Sequence, residues 1–206
     1  MNDNAERVNK NVERGQATRA LLIDVATRLF ASRGYDDTSI EMVLAESGVS
    51  RGSLYHHFPG KDALFQAVLE AVGLQVAEAG AAVLAGATDP LDVLRKGGRH
   101  WLQLASDPVV RQIVLIDAPA VLGWKRWREL DDANLGMIKS TLDHAASAGA
   151  FDQRHAEVFA HIVLAAANEV ALMIALAEDP AAALAAAEPA FVNFLDRFLG
   201  GSGAGA

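Results

Sequence analysis

The 206-residue chain contains no cysteine. Disulfides, thiolate nucleophiles and cysteine-bound zinc are therefore excluded, and a reducing compartment fits. Positive charge is scarce too: 18 Lys and Arg stand against 26 Asp and Glu, a net charge of −8. Aromatic residues make up only 6%, and no stretch sustains the alternation of a half-buried strand. The six histidines, at 56, 57, 100, 144, 155 and 161, form no H-E-x-x-H and no pair four residues apart. Gly97-Gly98 lacks the lysine and serine of a phosphate loop. The polar N-terminal stretch has no apolar signal-peptide core. These absences lead us to expect a cytoplasmic protein that is not an enzyme and carries no cofactor or metal.

What is present points to helices. Half of the residues are apolar, and alanine dominates the second half. Aspartate-proline pairs at 89–90, 107–108 and 179–180 combine an N-cap with a residue suited to the first helical position. With Gly34, Gly86, Gly149 and Asp152 as further boundaries, the periodicity predicts helices at 18–32, 61–84, 90–105, 108–117, 123–148, 153–178 and 181–199. Residues 1–16 lack an apolar stripe and read as a mobile arm; 200–206, GSGAGA after a glycine, read as a flexible tail. The charge is unevenly placed. Residues 1–62 hold 8 Lys and Arg against 9 Asp and Glu, whereas 63–206 hold 10 against 17. Nucleic-acid binding needs a local basic footprint, not a basic chain.

The stretch 38–61, TSIEMVLAESGVSRGSLYHHFPGK, organises the rest. Thr38 stands three residues before Glu41, ahead of Ile40, Val43 and Leu44, which reads as a capping box. Gly48 supplies a left-handed turn and Ser50 caps a second short helix. Leu54 and Phe58, four apart, point inward. Arg51, Gly52, Tyr55 and His56 then face outward, with Ser53 and His57 at the edges. Such a face suits a DNA major groove: arginine forks onto guanine and glycine permits close approach. Tyr55, His57 and Lys61 are placed to reach phosphates. Two roles are open to Glu41, the cap or acceptance from a cytosine; the cap is favoured. Gly48-Val49-Ser50-Arg51-Gly52 also matches the nucleophile elbow G-x-S-x-G, but that motif needs a preceding strand, so the match reads as coincidence.

GVSRGSLYHHFPGKDALF resembles the recognition segment of the TetR family of bacterial transcriptional regulators, and ATRLFASRGYDDTSI resembles the end of that family's first helix and the start of its second. The resemblance covers about 18–72. It implies an all-α fold of about nine helices: a helix-turn-helix domain at 17–62 joined to a ligand-binding and dimerisation domain at 63–199. It also implies backbone contacts by Thr38, Ser39, Tyr55, His57 and Lys61, with Arg51, Gly52 and Ser53 facing bases. Double-stranded operator DNA, a small-molecule effector and a second copy of the chain are the implied partners.

The second half is less explicit. Residues 158–176 are apolar on all sides, yet His161, Asn168 and Glu169 argue against a membrane span. Small Ala167, Ala171 and Ala175, with Phe191, Phe194, Leu195 and Phe198 on the last helix, are expected to pair with their copies in a dimer interface; an ordinary core is the alternative. Trp101, Asp117, Trp124, Trp127, His161, Asn168 and Glu169 could line an effector pocket of apolar walls and a few polar groups. Each also has a plainer reading: tryptophans as core, Asp117 as a helix cap. A ligand-independent regulator with a filled interior, and a helical enzyme with a fused DNA-binding domain, stay open beside the ligand-responsive repressor.

Overall fold

The computed structural model describes residues 3–200, with side chains described over 12–198 apart from Trp124. Among these residues there are ten α-helices, one π-helical segment and one 3-10 turn, and no strand. Helix α1 runs Asp3–Arg33, α2 Ile40–Ser47, α3 Arg51–His57, α4 Lys61–Leu84 and α5 Pro90–Leu104. The π-helical segment Val110–Asp117 continues directly into α6, Ala118–Leu122. Helices α7, Trp124–Glu129, α8, Asp132–Ser147, α9, Ala156–Ala175, and α10, Pro180–Gly200, complete the chain.

Two expectations about the helices change. The segment 1–16, expected to be an arm, is helical from Asp3 onward and forms the first half of a single helix of 31 residues. It lacks an apolar stripe but is rich in helix formers, and extending an existing helix gains a hydrogen bond for each residue fixed. The single helix expected at 123–148 divides into α7 and α8 at Leu130-Asp131, and Gly123, at φ 76, separates α6 from α7. The tail 201–206 lies outside the described residues.

Two apolar cores result. The first gathers Leu22, Val25, Ala26, Leu29 and Phe30 of α1 with Ile40, Val43, Leu54, Phe58 and the inward face of α4. The second lies among α5, α8, α9 and α10, around Leu102, Leu142, Ala171, Ile174, Phe191 and Leu195. The π-helical segment contributes Val110 and Ile113 to the first core and Leu115 to the second, while Trp101 packs against both. Asp107 starts this segment by accepting from the amides of Val109 and Val110 at 2.9 and 3.0 Å. Pro119 accounts for its wide register: the ring would clash with the carbonyl four residues back, and a π turn moves that carbonyl aside. Arg111 donates from Nε to the Ala175 carbonyl at 2.7 Å, satisfying the end of α9.

By length and composition alone, α4 and the stretch 153–175 are apolar enough to span a membrane. Here α9 lies against α5, α8 and α10.

Helix α5 carries two glycines with different duties. A Cβ on Gly98 would lie 2.4 Å from Cε1 of buried Phe191, so α10 can approach only because that carbon is missing. On Gly97 it would meet Leu84 Cδ2 at an ordinary 3.8 Å. Gly98→Ala should therefore lower stability by about 1–3 kcal/mol through overpacking. Gly97→Ala should leave it unchanged or raise it by up to about 1 kcal/mol through helix propensity. Urea denaturation midpoints of the two variants check both signs.

Candidate nucleic-acid interface

Helices α2 and α3 form the tight pair that the sequence suggests, but the cap is shifted by one residue. Ser39, not Thr38, is the N-cap of α2, accepting from the Met42 amide at 3.2 Å. Thr38 is buried, and its hydroxyl donates to the Gly34 carbonyl at 2.8 Å. The hydroxyl expected to meet a phosphate is thus turned inward and engaged within the fold. Glu41, freed from the box, pairs with Arg51, whose Nη2 lies 3.1 Å from Oε1. The backbone amide of Glu41 itself, then Arg51, hold its carboxyl below the usual carboxylate range.

The turn behaves as its residues require. Gly48 adopts φ 66, and its amide donates to the Leu44 carbonyl at 3.0 Å. Ser50 caps α3 by accepting from the Ser53 amide at 3.2 Å. Buried Leu54 and Phe58 pin the helix inward. Arg51, Gly52, Tyr55 and His56 are left exposed, with Ser50 beside them, while Ser53 and His57 are half-buried. His57 turns toward α1, its Cε1 lying 3.9 Å from a Cβ built on Gly15, and the Arg19 guanidinium sits 5.3 Å from the centre of the Phe58 ring.

Lys61 points back into the domain. Its Nζ lies 4.1 Å above the Tyr35 ring and donates to the Asp36 carbonyl at 3.3 Å. Tyr35 is wedged between Phe30 and Phe65, with centroids 5.8 and 5.0 Å away. Its hydroxyl bonds Asp62, and burial, reinforced by that carboxylate, pushes its pKa up to about 12. Its amide donates to Asp117 Oδ2 at 2.8 Å.

The residues expected around an effector do not gather at one place. Asp117 serves the joint between the two cores, accepting from Tyr35 and from Gln112 Nε2 at 3.0 Å, and burial raises its pKa. Trp127 donates from Nε1 to the Val114 carbonyl at 3.3 Å. Asn168 donates to Asp131 at 2.8 Å, and burial raises the pKa of that aspartate. His161 lines a surface groove of about 420 Å³ with Lys125, Asp131 and Leu135, whereas Glu169 faces outward from α9. A second groove, of about 400 Å³, runs between α1 and α4 past Arg19, Ile23 and Gln75. The side chain of Trp124 lies outside the described set. Trp101 alone stands at the seam of both cores, its Nε1 buried and making no hydrogen bond within the described chain.

Most of the residues expected at a dimer interface lie inward in the single chain. Ala167, Ala171, Ala175, Phe191 and Leu195 are buried in the second core, and half-buried Phe194 and Phe198 stack on each other at 5.6 Å. The opposite face of α9 is the open one: Val158 is 58%, Ile162 42%, Met173 53% and Leu176 63% exposed. On α10 the outward residues include Ala182, Ala185, Ala186 and Ala190. A helix apolar all round offers two stripes of equal appeal, and the small-residue pattern singles out the inner one. Spacing at 158, 162, 165, 169, 173 and 176 marks the outer one.

A capped recognition-sized helix, presented by a three-helix head on a helical body, defines a helix-turn-helix DNA-binding protein. The family profile described as "Bacterial regulatory proteins, tetR family" matches residues 22–68. The profile described as "Tetracyclin repressor-like, C-terminal domain" matches residues 91–198, more than half of the chain. AcrR, an HTH-type transcriptional regulator of Shigella flexneri, is 36% identical over 95 residues, 46% of this chain and 44% of AcrR, so the match spans less than half of that relative. A TetR-family regulator of Pectobacterium atrosepticum superposes with a TM-score of 0.78 at 32% identity, covering 91% of this chain and 96% of that one. A TetR regulator of Chloroflexus aurantiacus shares the fold at 22% identity, with a TM-score of 0.73 over 90% and 97% of the two chains. The chain belongs to the TetR family of bacterial transcriptional regulators, whose members are DNA-binding regulators and not enzymes.

Burial of Thr38 gives a direct check. Thr38→Val should cost about 1 kcal/mol of stability by removing a buried hydrogen bond. The folded variant should bind DNA within about twofold of the parent, since a buried hydroxyl makes no phosphate contact. Denaturation and fluorescence-anisotropy titrations on the same preparation separate the two effects.

Proposed function

We propose that the protein is a ligand-responsive repressor that binds a roughly palindromic operator as a homodimer in the cytoplasm. The observation that carries the DNA contact is the exposed face of α3, held rigid by Leu54 and Phe58 beneath it. In this reading Arg51 forks onto a base edge, Gly52 lets the backbone approach, and Ser53 contributes at the margin. Tyr55 and His56 hydrogen-bond phosphates and fix the register, whereas the Ser39 hydroxyl is committed to the α2 cap. The Ser50 hydroxyl is committed to the α3 cap. Lys61 reaches a phosphate only by leaving the Tyr35 ring and the Asp36 carbonyl, and His57 only by turning from α1.

The outer stripe of α9, with the alanine face of α10, supports the dimer reading. Val158, Ile162, Met173 and Leu176 form an apolar strip of the kind that marks an interface. Two-fold pairing of α9 and α10 would set two recognition helices about 34–36 Å apart, one turn of DNA.

For the effector, a small apolar or amphipathic molecule, the support is the seam at Trp101. Trp101 Nε1, His100 Nε2 and Ser106 Oγ are buried and make no hydrogen bond within the described chain, so a bound molecule with matching polar groups would satisfy them. A ligand there would push on the π-helical segment and, through Asp117, on Tyr35 and the head. A coupling of roughly 1–3 kcal/mol would change operator affinity about 5–150-fold. The ligand-independent reading also has support: Asp117, Trp127 and Asn168 already have partners inside the chain.

Gel-shift titration against the upstream intergenic DNA at two salt concentrations tests the whole reading. Salt-sensitive, sequence-specific binding by a dimer is expected. Binding that strengthens after unfolding and refolding would reveal a co-purified effector; unchanged affinity there, with no ligand found by mass spectrometry, favours the ligand-independent reading. Ile162→Glu or Met173→Glu should yield a folded monomer with operator affinity at least about tenfold lower, because a buried unpaired charge is costly. Ala171→Glu should instead unfold the second core. Sedimentation and circular dichroism distinguish these fates, and a dimeric Met173→Glu protein with full affinity would remove the proposed interface.

A further inference from the structure

Glu41 and Arg51 belong to different helices yet share one ion pair on the face expected to meet DNA, Nη2 to Oε1 at 3.1 Å. We propose that Glu41 is a positioning residue for sequence readout: it holds the Arg51 guanidinium toward one base pair and away from the phosphates. This rests on the reading of Arg51 as base-facing.

The pair does little for the fold. Both side chains are well exposed, at 58% for Arg51 and 62% for Glu41, and an ion pair in water contributes little to stability. Its effect is on orientation. Arg51 opens α3, where the helix dipole disfavours a cation and pushes the guanidinium outward. Glu41 lies in the first turn of α2, where the dipole favours a carboxylate. Among the described contacts only one guanidinium nitrogen is engaged, which leaves donors for a two-point contact with guanine.

Recognition is affected in two ways. A held arginine loses less rotamer freedom on binding than a free one. A carboxylate on the DNA-facing surface also repels phosphates, so it penalises any register in which Arg51 does not find its base. Glu41 thus lowers affinity for arbitrary DNA while sharpening preference at one position. Neither the cap nor direct acceptance from cytosine predicts that combination.

The test is random-site selection on duplex DNA with the full chain, comparing the parent, Glu41→Gln, Arg51→Ala and the double variant, alongside salt titrations on non-specific DNA. Glu41→Gln is expected to select the same motif but to lose about five- to tenfold of the discrimination at one base pair of each half-site, the pair that Arg51→Ala flattens. Its non-specific log–log salt slope should steepen by about one, as the released guanidinium finds a phosphate. The double variant should match Arg51→Ala in both readouts, and the thermal midpoint of Glu41→Gln should stay within about 2 °C of the parent. Unchanged discrimination in Glu41→Gln overturns the proposal. So does a change at a different base pair, or one that persists in the Arg51→Ala background, since Glu41 would then act on DNA directly or through α2. A parent chain that selects no motif would overturn the operator-binding reading itself, and the inference with it.

Discussion

The amide of Tyr35 donates to the carboxylate of Asp117 across 82 residues of sequence, tying the head to the end of the π-helical segment. The Tyr35 ring is packed between Phe30 of α1 and Phe65 of α4, its hydroxyl holds Asp62, and the Lys61 ammonium lies on its face. One residue thus touches the end of α1, the start of α4 and the end of the π-helical segment. Helix α3 has few inward anchors of its own, chiefly Leu54 and Phe58, and packs against α1. The connection between Asp117 and the head is short, polar and half-buried. Such a connection is geometrically demanding, since its hydrogen bonds weaken steeply with misalignment.

The head is legible in the sequence because each residue type there answers a local requirement. Gly48 supplies a positive φ, Ser50 a cap acceptor, and Leu54 and Phe58 a four-residue inward spacing; each does so with neighbours a few residues away. The shift from Thr38 to Ser39 shows the limit even there. Both hydroxyls could cap α2, and the choice is made by Gly34, whose carbonyl claims the Thr38 hydroxyl from outside the helix. The Glu41–Arg51 pair leaves a faint trace, opposite charges on successive short helices, which acquires meaning only once the turn brings them together.

In the body the deciding contacts are long-range, and local pattern gives little purchase. Helix α9 is apolar on every side, so periodicity cannot say which stripe faces α10 and which faces outward. Asp117 reads as a pocket or cap residue because its partner, Tyr35, belongs to another domain. The division of 123–148 depends on Gly123 and on the break at Leu130-Asp131, within a stretch whose composition is helical throughout. Aspartate-proline boundaries are readable for the same reason the head is: Asp89, Asp107 and Asp179 each bond amides two or three residues on.

The π-helical segment has a bearing on the family's tolerance of length change. Its eight residues hold Arg111 against the end of α9 at one extremity and Asp117 against Tyr35 at the other. A wide turn stores one residue more than an α-helical path needs, so a chain shortened by one residue here would close the ordinary ladder without breaking the helix. Asp117 would then keep its phase toward Tyr35, because the residue lost is the one the wide turn holds in surplus. The same deletion in a regular stretch of helix would instead turn everything beyond it by about 100°. The wide turn is thus a place where the chain can lose one residue while Val110, Ile113 and Leu115 stay near their cores.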